Sequence, residues 1–257
     1  PASTGRCLPF PSRTDDRLEN PGLECRPMSE LFDSYRSIYD ETVQGSIRFS
    51  GLKHDFFLKA KAEFLRRVVV ERGLGPDGSG VRALDVGCGV GVLHPFLKGA
   101  FASLDGCDIS PDSILRAREE NPGVMYKVCS SLTLPYDNGV FDLAFASCVV
   151  HHVPPASWLA FVREMRRVLR PGGVACIIEH NPYNPLTRLA VFRCPFDRDA
   201  VLLSAAKTAS LLQMTGFTNI RSEHFLLLPS GRPFARKVER MLARLPLGAQ
   251  YVSSARA

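Results

Sequence analysis

From residue 82 onward the sequence alternates. Apolar runs of strand length at 82–86, 103–107, 124–129, 141–147 and 174–179 are separated by helical stretches such as 110–120 and 156–169. Successive strands joined through helices need crossover connections, and these produce a parallel sheet covered by helices on both faces. The alternation therefore restricts the chain to an open α/β fold, and its 257 residues suffice for one core of that kind. A hydrophobic share of 45% beside 23% charged residues excludes disordered and fibrous classes.

Around this core the remaining segments sort by pattern. Residues 1–28 hold five prolines and little periodicity, and they are expected to form a flexible leader. A single domain is expected over 29–257. Residues 29–75 read as an N-terminal helical segment, with Phe57, Lys61, Phe64, Leu65 and Val68 on its second helix and "GLGPDGSG" as the closing turn. The core spans 82–180, a polar and aromatic insertion follows at 181–204, and 205–257 supplies a helix to Thr215 and two late strands, 219–228 and 250–255.

No run reaches the roughly 18 to 20 apolar residues of a membrane span, and 1–28 lacks a segment of signal-peptide type. A soluble, cytoplasmic protein is expected. The eight cysteines form no CxxC pair and no zinc spacing, so reduced thiols in a core are the simplest reading, and no metal is expected. The net charge of +6 is spread along the chain, and no nucleic-acid partner is expected. One segment, 232–245, places apolar residues at 234, 238, 241, 242 and 245 among five basic ones. It can lie on anionic lipid as a peripheral contact or pack on the sheet with a solvated back.

The first strand ends in "LDVGCGVGVL", with Asp85 followed by Gly87, Gly89 and Gly91. In an open parallel sheet the first strand-to-helix turn is a ligand site, and glycines let the backbone approach the ligand without a Cβ in between. A dinucleotide fingerprint requires Gly or Ala at the sixth position of GxGxxG, where this chain has Val92. Asp85 would also repel a pyrophosphate. A cationic ligand fits better, and S-adenosylmethionine carries a sulfonium and an ammonium but no phosphate. Asp108, at the end of the second strand in "LDGCDIS", can accept both ribose hydroxyls; Asp105 is its rival in the same run.

These residues resemble the class I S-adenosylmethionine-dependent methyltransferases. The resemblance covers roughly 82–173: "LDVGCGVG" is similar to the family's first motif, "DIS" to the end of its second, "LPYDNGVFDLAFASCVVHHV" to its fourth strand with the preceding loop, and "VLRPGG" completes the order. The resemblance implies a Rossmann-like fold with a seven-stranded, mostly parallel sheet, the last strand antiparallel. It also implies S-adenosylmethionine as cofactor. Asp85 would face the methionine end, Gly87, Cys88 and Gly89 would form the backbone cradle, and Asp108 would hold the ribose with Ile109 and Ser147 nearby. Where many relatives have an Asp for the adenine amine, this chain has Ser130, so that bond would fall to Ser130 or to backbone near Ser131. Tyr39, in a stretch that resembles the family's leader helix, would reach the cofactor carboxylate.

Methyl transfer from a sulfonium is an in-line substitution, so positioning and exclusion of water dominate, and a base is needed only where the acceptor must lose a proton. His151 and His152 follow the fourth strand, and either could take that proton or hold the loop by hydrogen bonds. Resemblance favours His151 as the one facing the methyl. His180, Asn181 and Tyr183 would line the acceptor pocket or cap the fifth strand. The similarity to quinone-pathway and natural-product enzymes implies a small-molecule acceptor methylated on O or C. A protein or RNA methyltransferase and a non-catalytic cofactor-binding module are the alternatives.

Overall fold

The computed structural model describes residues 39–130, 132–227, 237, 239 and 241–257. The leader at 1–28, residue Ser131 and half of the basic segment 232–245 lie outside them. Two helices come first: α1 (Tyr39–Ile47) and α2 (His54–Glu71). The sheet then begins with β1 (Arg82–Val86), followed by α3 (His94–Leu97), β2 (Ser103–Asp108), α4 (Pro111–Glu120) and β3 (Met125–Val128). The second half contains β4 (Phe141–Ser147), α5 (Trp158–Val168), β5 (Leu169–His180), α6 (Pro185–Arg193), α7 (Ala205–Met214), β6 (Thr218–Phe225) and β7 (Gln250–Arg256).

The seven strands lie in the order β3-β2-β1-β4-β5-β7-β6. β7 is antiparallel to both its neighbours, and the other pairings are parallel. Alternation along the strands divides the core between the two faces. Leu84, Val86, Ala144, Ala146, Ala175 and Ile177 join Val162, Met165 and Leu212 of α5 and α7 on one side. On the other, Ala83, Leu143, Phe145, Val174, Cys176 and Ile178 meet Leu58, Ala62, Leu65 and Val69 of α2. The buried residues of α5, Trp158, Phe161, Val162, Met165 and Val168, recur at the three-to-four spacing of one helix face.

Strand order reverses at β1, which has β2 on one side and β4 on the other. In open α/β sheets such a reversal leaves a crevice at the carboxyl ends of the strands. Several boundaries differ from the sequence reading, those of β2 and β5 among them. β2 runs one residue further, so Asp108 is its terminal residue, and Ser110 caps α4 by accepting the Ser113 N–H at 3.0 Å. The "RPGG" stretch, whose proline and glycines predict the end of a helix and a turn into the next strand, instead belongs to β5. β4 pairs with Leu169 and then shifts register to Val174, and the extra residues bulge out at Gly172, whose φ is +77°. Among the described residues no helix is long and apolar enough to cross a membrane.

Candidate active site

The turn after β1 is tied to β2, because the Gly87 and Cys88 N–H groups both donate to the Cys107 carbonyl at 2.8 and 3.0 Å. Gly87 has φ +78°, and a Cβ there would lie 2.5 Å from Val149 Cγ1, so only glycine fits. Gly89, at φ +54°, faces open space. Its N–H donates to Asp108 Oδ2 at 2.8 Å, while the Ser110 N–H donates to Oδ1 at 3.0 Å. The Asp108 carboxylate is thus fixed across the cradle. Burial raises its pKa above the ordinary carboxylate value against the pull of those two N–H donors. Asp105 does not line the cavity described below; Asp108 does.

Asp85 is buried at the floor of the turn. Its Oδ2 lies 3.0 Å from His94 Nε2, and His94 Nδ1 lies 2.5 Å from the Tyr126 hydroxyl. Its Oδ1 is buried with no hydrogen-bond partner among the described residues. A buried carboxylate oxygen without a donor is costly, and a cationic ligand supplies what it lacks. The cradle therefore fits S-adenosylmethionine: an acid at the methionine end, an unobstructed glycine backbone, and an oriented acid at the ribose end. Sequence reasoning missed His94 and Tyr126, which carry no local signal because they meet Asp85 only in the folded chain.

Cys88, Ile109, Ser130 and Ser147 all line the same cavity. Ser130 is exposed, and its Oγ accepts the Thr133 N–H at 3.1 Å. The expected contribution near Ser131 and the Tyr39 side chain lie outside what the structure describes; the backbone of Tyr39 opens α1.

The cavity, of about 1010 Å³, is shared by this cradle and a polar group of side chains. There His151, His152 and His180 come together, with ring centroids 4.1 Å apart for the first pair and 5.2 Å for His151 and His180. Both nitrogens of the buried His151 are engaged: Nδ1 lies 2.5 Å from Glu179 Oε2, and Nε2 lies 3.3 Å from Asp197 Oδ1. Burial opposes charge on His151, but the two carboxylates outweigh it and hold the imidazole well above its ordinary range. Both ring nitrogens of His151 thus face carboxylate oxygens, the arrangement expected of a histidine that holds the loop. Burial and the charge on His151 instead push His152 down to about 4, so His152 is neutral near neutral pH. Burial opposes charge on His180 also, and the neighbouring Cys148 raises it.

Of the other expected residues, Asn181 caps the strand end, donating to the Pro246 and Gly248 carbonyls at 2.9 and 2.8 Å. Tyr183 is 68% exposed and does not line the cavity. Glu179 and Asp197 were not foreseen as site residues. Glu179 is the buried penultimate residue of β5, and Asp197 arrives from the insertion.

A second unforeseen pair lies beside them. The Cys148 Sγ accepts from Lys61 Nζ at 3.2 Å and from Gln250 Nε2 at 3.5 Å, on a backbone held at φ +59°. Burial alone would raise this thiol, but Lys61 and His180 override it and bring it to about 6. Cys148 should therefore be a thiolate at pH 7, and a thiolate is the form that alkylates. In Lys61→Met, alkylation of Cys148 by iodoacetamide at pH 7 should slow by roughly tenfold or more. Rates would be read by peptide mass spectrometry, and an unchanged pH profile would remove Lys61 as the cause.

A family model described as a methyltransferase domain matches residues 84–177. The chain is 34% identical over 146 residues to an uncharacterized methyltransferase of Synechocystis, covering 55% of this chain and 69% of that protein. It is 29% identical over 129 residues to the 2-methyl-6-phytyl-1,4-hydroquinone methyltransferase of Synechocystis, covering 49% of this chain and 40% of that protein. Among solved structures, an S-adenosylmethionine-dependent methyltransferase of Thermotoga maritima, described as a possible histamine N-methyltransferase, shares the fold with a TM-score of 0.61. It is 18% identical, over 90% of this chain and 99% of that one. With the sheet order, the acidic glycine cradle and these similarities in agreement, the chain belongs to the class I S-adenosylmethionine-dependent methyltransferases.

Proposed function

We propose that this enzyme methylates an O or C atom of a small, largely apolar acceptor that carries an ionisable hydroxyl, as a phenol or hydroquinone does. The observation that carries this reading is the continuity of one cavity from the cradle to the His151–His152–Asp197 cluster, with apolar side chains between. The cofactor supplies an electrophilic sulfonium methyl. The chain's own part is to hold the acceptor in line, keep water out and receive a proton. Val43, Ile47, Phe49 and Phe57 line the cavity, so the described part of the N-terminal helical segment 29–75 serves as a lid, and Ala190 and Val191 from the 181–204 insertion line it as well. Asp85, Gly87, Cys88, Gly89, Asp108, Ile109 and Ser147 serve the cofactor; the His151–His152–His180 cluster at the polar end receives the acceptor proton and positions the hydroxyl.

An apolar acceptor also accounts for the rim. Leu186 lines the cavity while 60% exposed, and Phe192, which follows the cavity-lining Val191, is 87% exposed. Exposed apolar groups beside a binding cleft suit a lipophilic acceptor delivered from a membrane surface, in line with the lipid-contact reading of 232–245. The similarity to a hydroquinone methyltransferase supports the same acceptor class. The test is methyl transfer, read by mass spectrometry, to alkylphenols and hydroquinones of increasing chain length, free and in anionic vesicles. Turnover should rise with chain length and be absent with primary amines. Transfer to amines but to no hydroxyl-bearing acceptor would overturn the proposal.

A further inference from the structure

We infer that His151, His152 and Asp197 form a binding site for one divalent transition-metal ion of the zinc class, with an open coordination position facing the acceptor end of the cavity. Their ligand atoms all lie within 4.8 Å of one another. Both Nε2 atoms converge on the same Asp197 oxygen, His151 at 3.3 Å and His152 at 3.4 Å. These separations exceed the usual N–H···O range of about 2.7 to 3.2 Å. They equal the roughly 3.3 to 3.4 Å edge of a tetrahedron whose ligands stand about 2.0 to 2.1 Å from zinc.

The surroundings of His151 have the form of a metal site. A ligating histidine commonly donates its other ring N–H to a carboxylate, which fixes the tautomer and aims the free nitrogen at the ion. Here Glu179 Oε2 stands 2.5 Å from His151 Nδ1. Glu179 is itself held, since its Oε1 accepts the Val149 and Val150 N–H groups at 3.0 and 2.7 Å. Two nitrogens and one carboxylate oxygen suit zinc, cobalt or ferrous iron better than magnesium or calcium, which prefer oxygen shells. A dication also compensates the paired charges of Glu179 and Asp197 inside one buried cluster. Three protein ligands and a fourth position open to a cavity make the arrangement of a catalytic rather than a structural ion. The role of that fourth position rests on the proposed function: there an ion would bind the acceptor oxygen and favour its deprotonation.

The probe is Co²⁺, added to the full chain after chelator treatment and followed by visible absorption, with cofactor affinity measured in parallel. One equivalent should bind with the intense bands of tetrahedral cobalt, Zn²⁺ should displace it, and His152→Gln and Asp197→Asn should each weaken it at least tenfold while still binding S-adenosylmethionine. Absence of those bands, or equal affinity in wild type and both variants, would overturn the site, the latter pointing to thiols elsewhere. Methyl transfer that proceeds undiminished in the chelated protein, with no cobalt bound, would remove the metal and leave the proposed function standing. A specific cobalt site in a protein that methylates no hydroxyl-bearing acceptor would do the reverse.

Discussion

Replacing Glu179 with alanine should lower the stability of the fold by about 3 to 5 kcal/mol, the usual consequence of removing one partner of a buried ion pair. Glu179 is 1% exposed, so solvent cannot take over its contacts. Three groups lose their acceptor at once: His151 Nδ1 and the backbone N–H groups of Val149 and Val150. The two N–H groups belong to the segment between β4 and the His151–His152 turn, and Val149 is also the side chain packed against Gly87. The loss should therefore reach the cradle as well as the polar end. For a chain of this size each kcal/mol shifts the thermal midpoint by about 2 to 4 °C, so a fall of roughly 10 °C is expected. Glu179→Gln keeps an oxygen for Val149 and Val150 and should lose less. Scanning calorimetry of the two variants decides the matter: a midpoint for Glu179→Ala within a degree of wild type would show that the pair contributes nothing.

How far the site was legible in the sequence follows from how its residues are gathered. The cradle was legible because Asp85, Gly87 and Gly89 sit within one turn, and because Asp108 ends the adjacent strand, a placement the alternating pattern fixes. β1 and β4 were read with their observed limits, since each is an apolar run closed by turn residues. "RPGG" misled because proline and glycine usually end an element, whereas here they form a bulge that β5 carries along its edge. The polar end was half legible. Two adjacent histidines after β4 drew notice, but Glu179 reads as one more strand residue and Asp197 as one more acid in a polar insertion. Lys61 and Cys148 lie 87 positions apart, and a Lys on the buried face of α2 gives no hint of the thiol it meets. Convergence of distant elements on one cavity leaves no periodic trace. That is why the residues of the polar end were harder to find than those of the glycine cradle.

Asp108→Ala should weaken S-adenosylmethionine binding by about 1.5 to 3 kcal/mol, roughly 10- to 150-fold, the magnitude of charge-assisted hydrogen bonds lost together. The structure adds a reason to expect the upper part of that range. Each carboxylate oxygen already accepts one backbone N–H, from Gly89 and from Ser110, so the remaining lone pairs are aimed rather than free to rotate. Alanine removes the acceptor for the ribose and also releases Gly89, whose φ of +54° is part of the cradle. Asp108→Asn separates the two effects: its amide oxygen can still hold one N–H, but its NH₂ meets the other as donor against donor, so binding should remain impaired. S-adenosylhomocysteine has the same ribose and lacks the methyl group and with it the sulfonium charge. Calorimetric titration should therefore show Asp108→Ala weakening both ligands by similar factors, whereas Asp85→Asn, acting at the cationic end, should weaken S-adenosylmethionine more. Less than a threefold loss for either ligand in Asp108→Ala would take the carboxylate out of the ribose contact and leave it as a prop for the glycine turn.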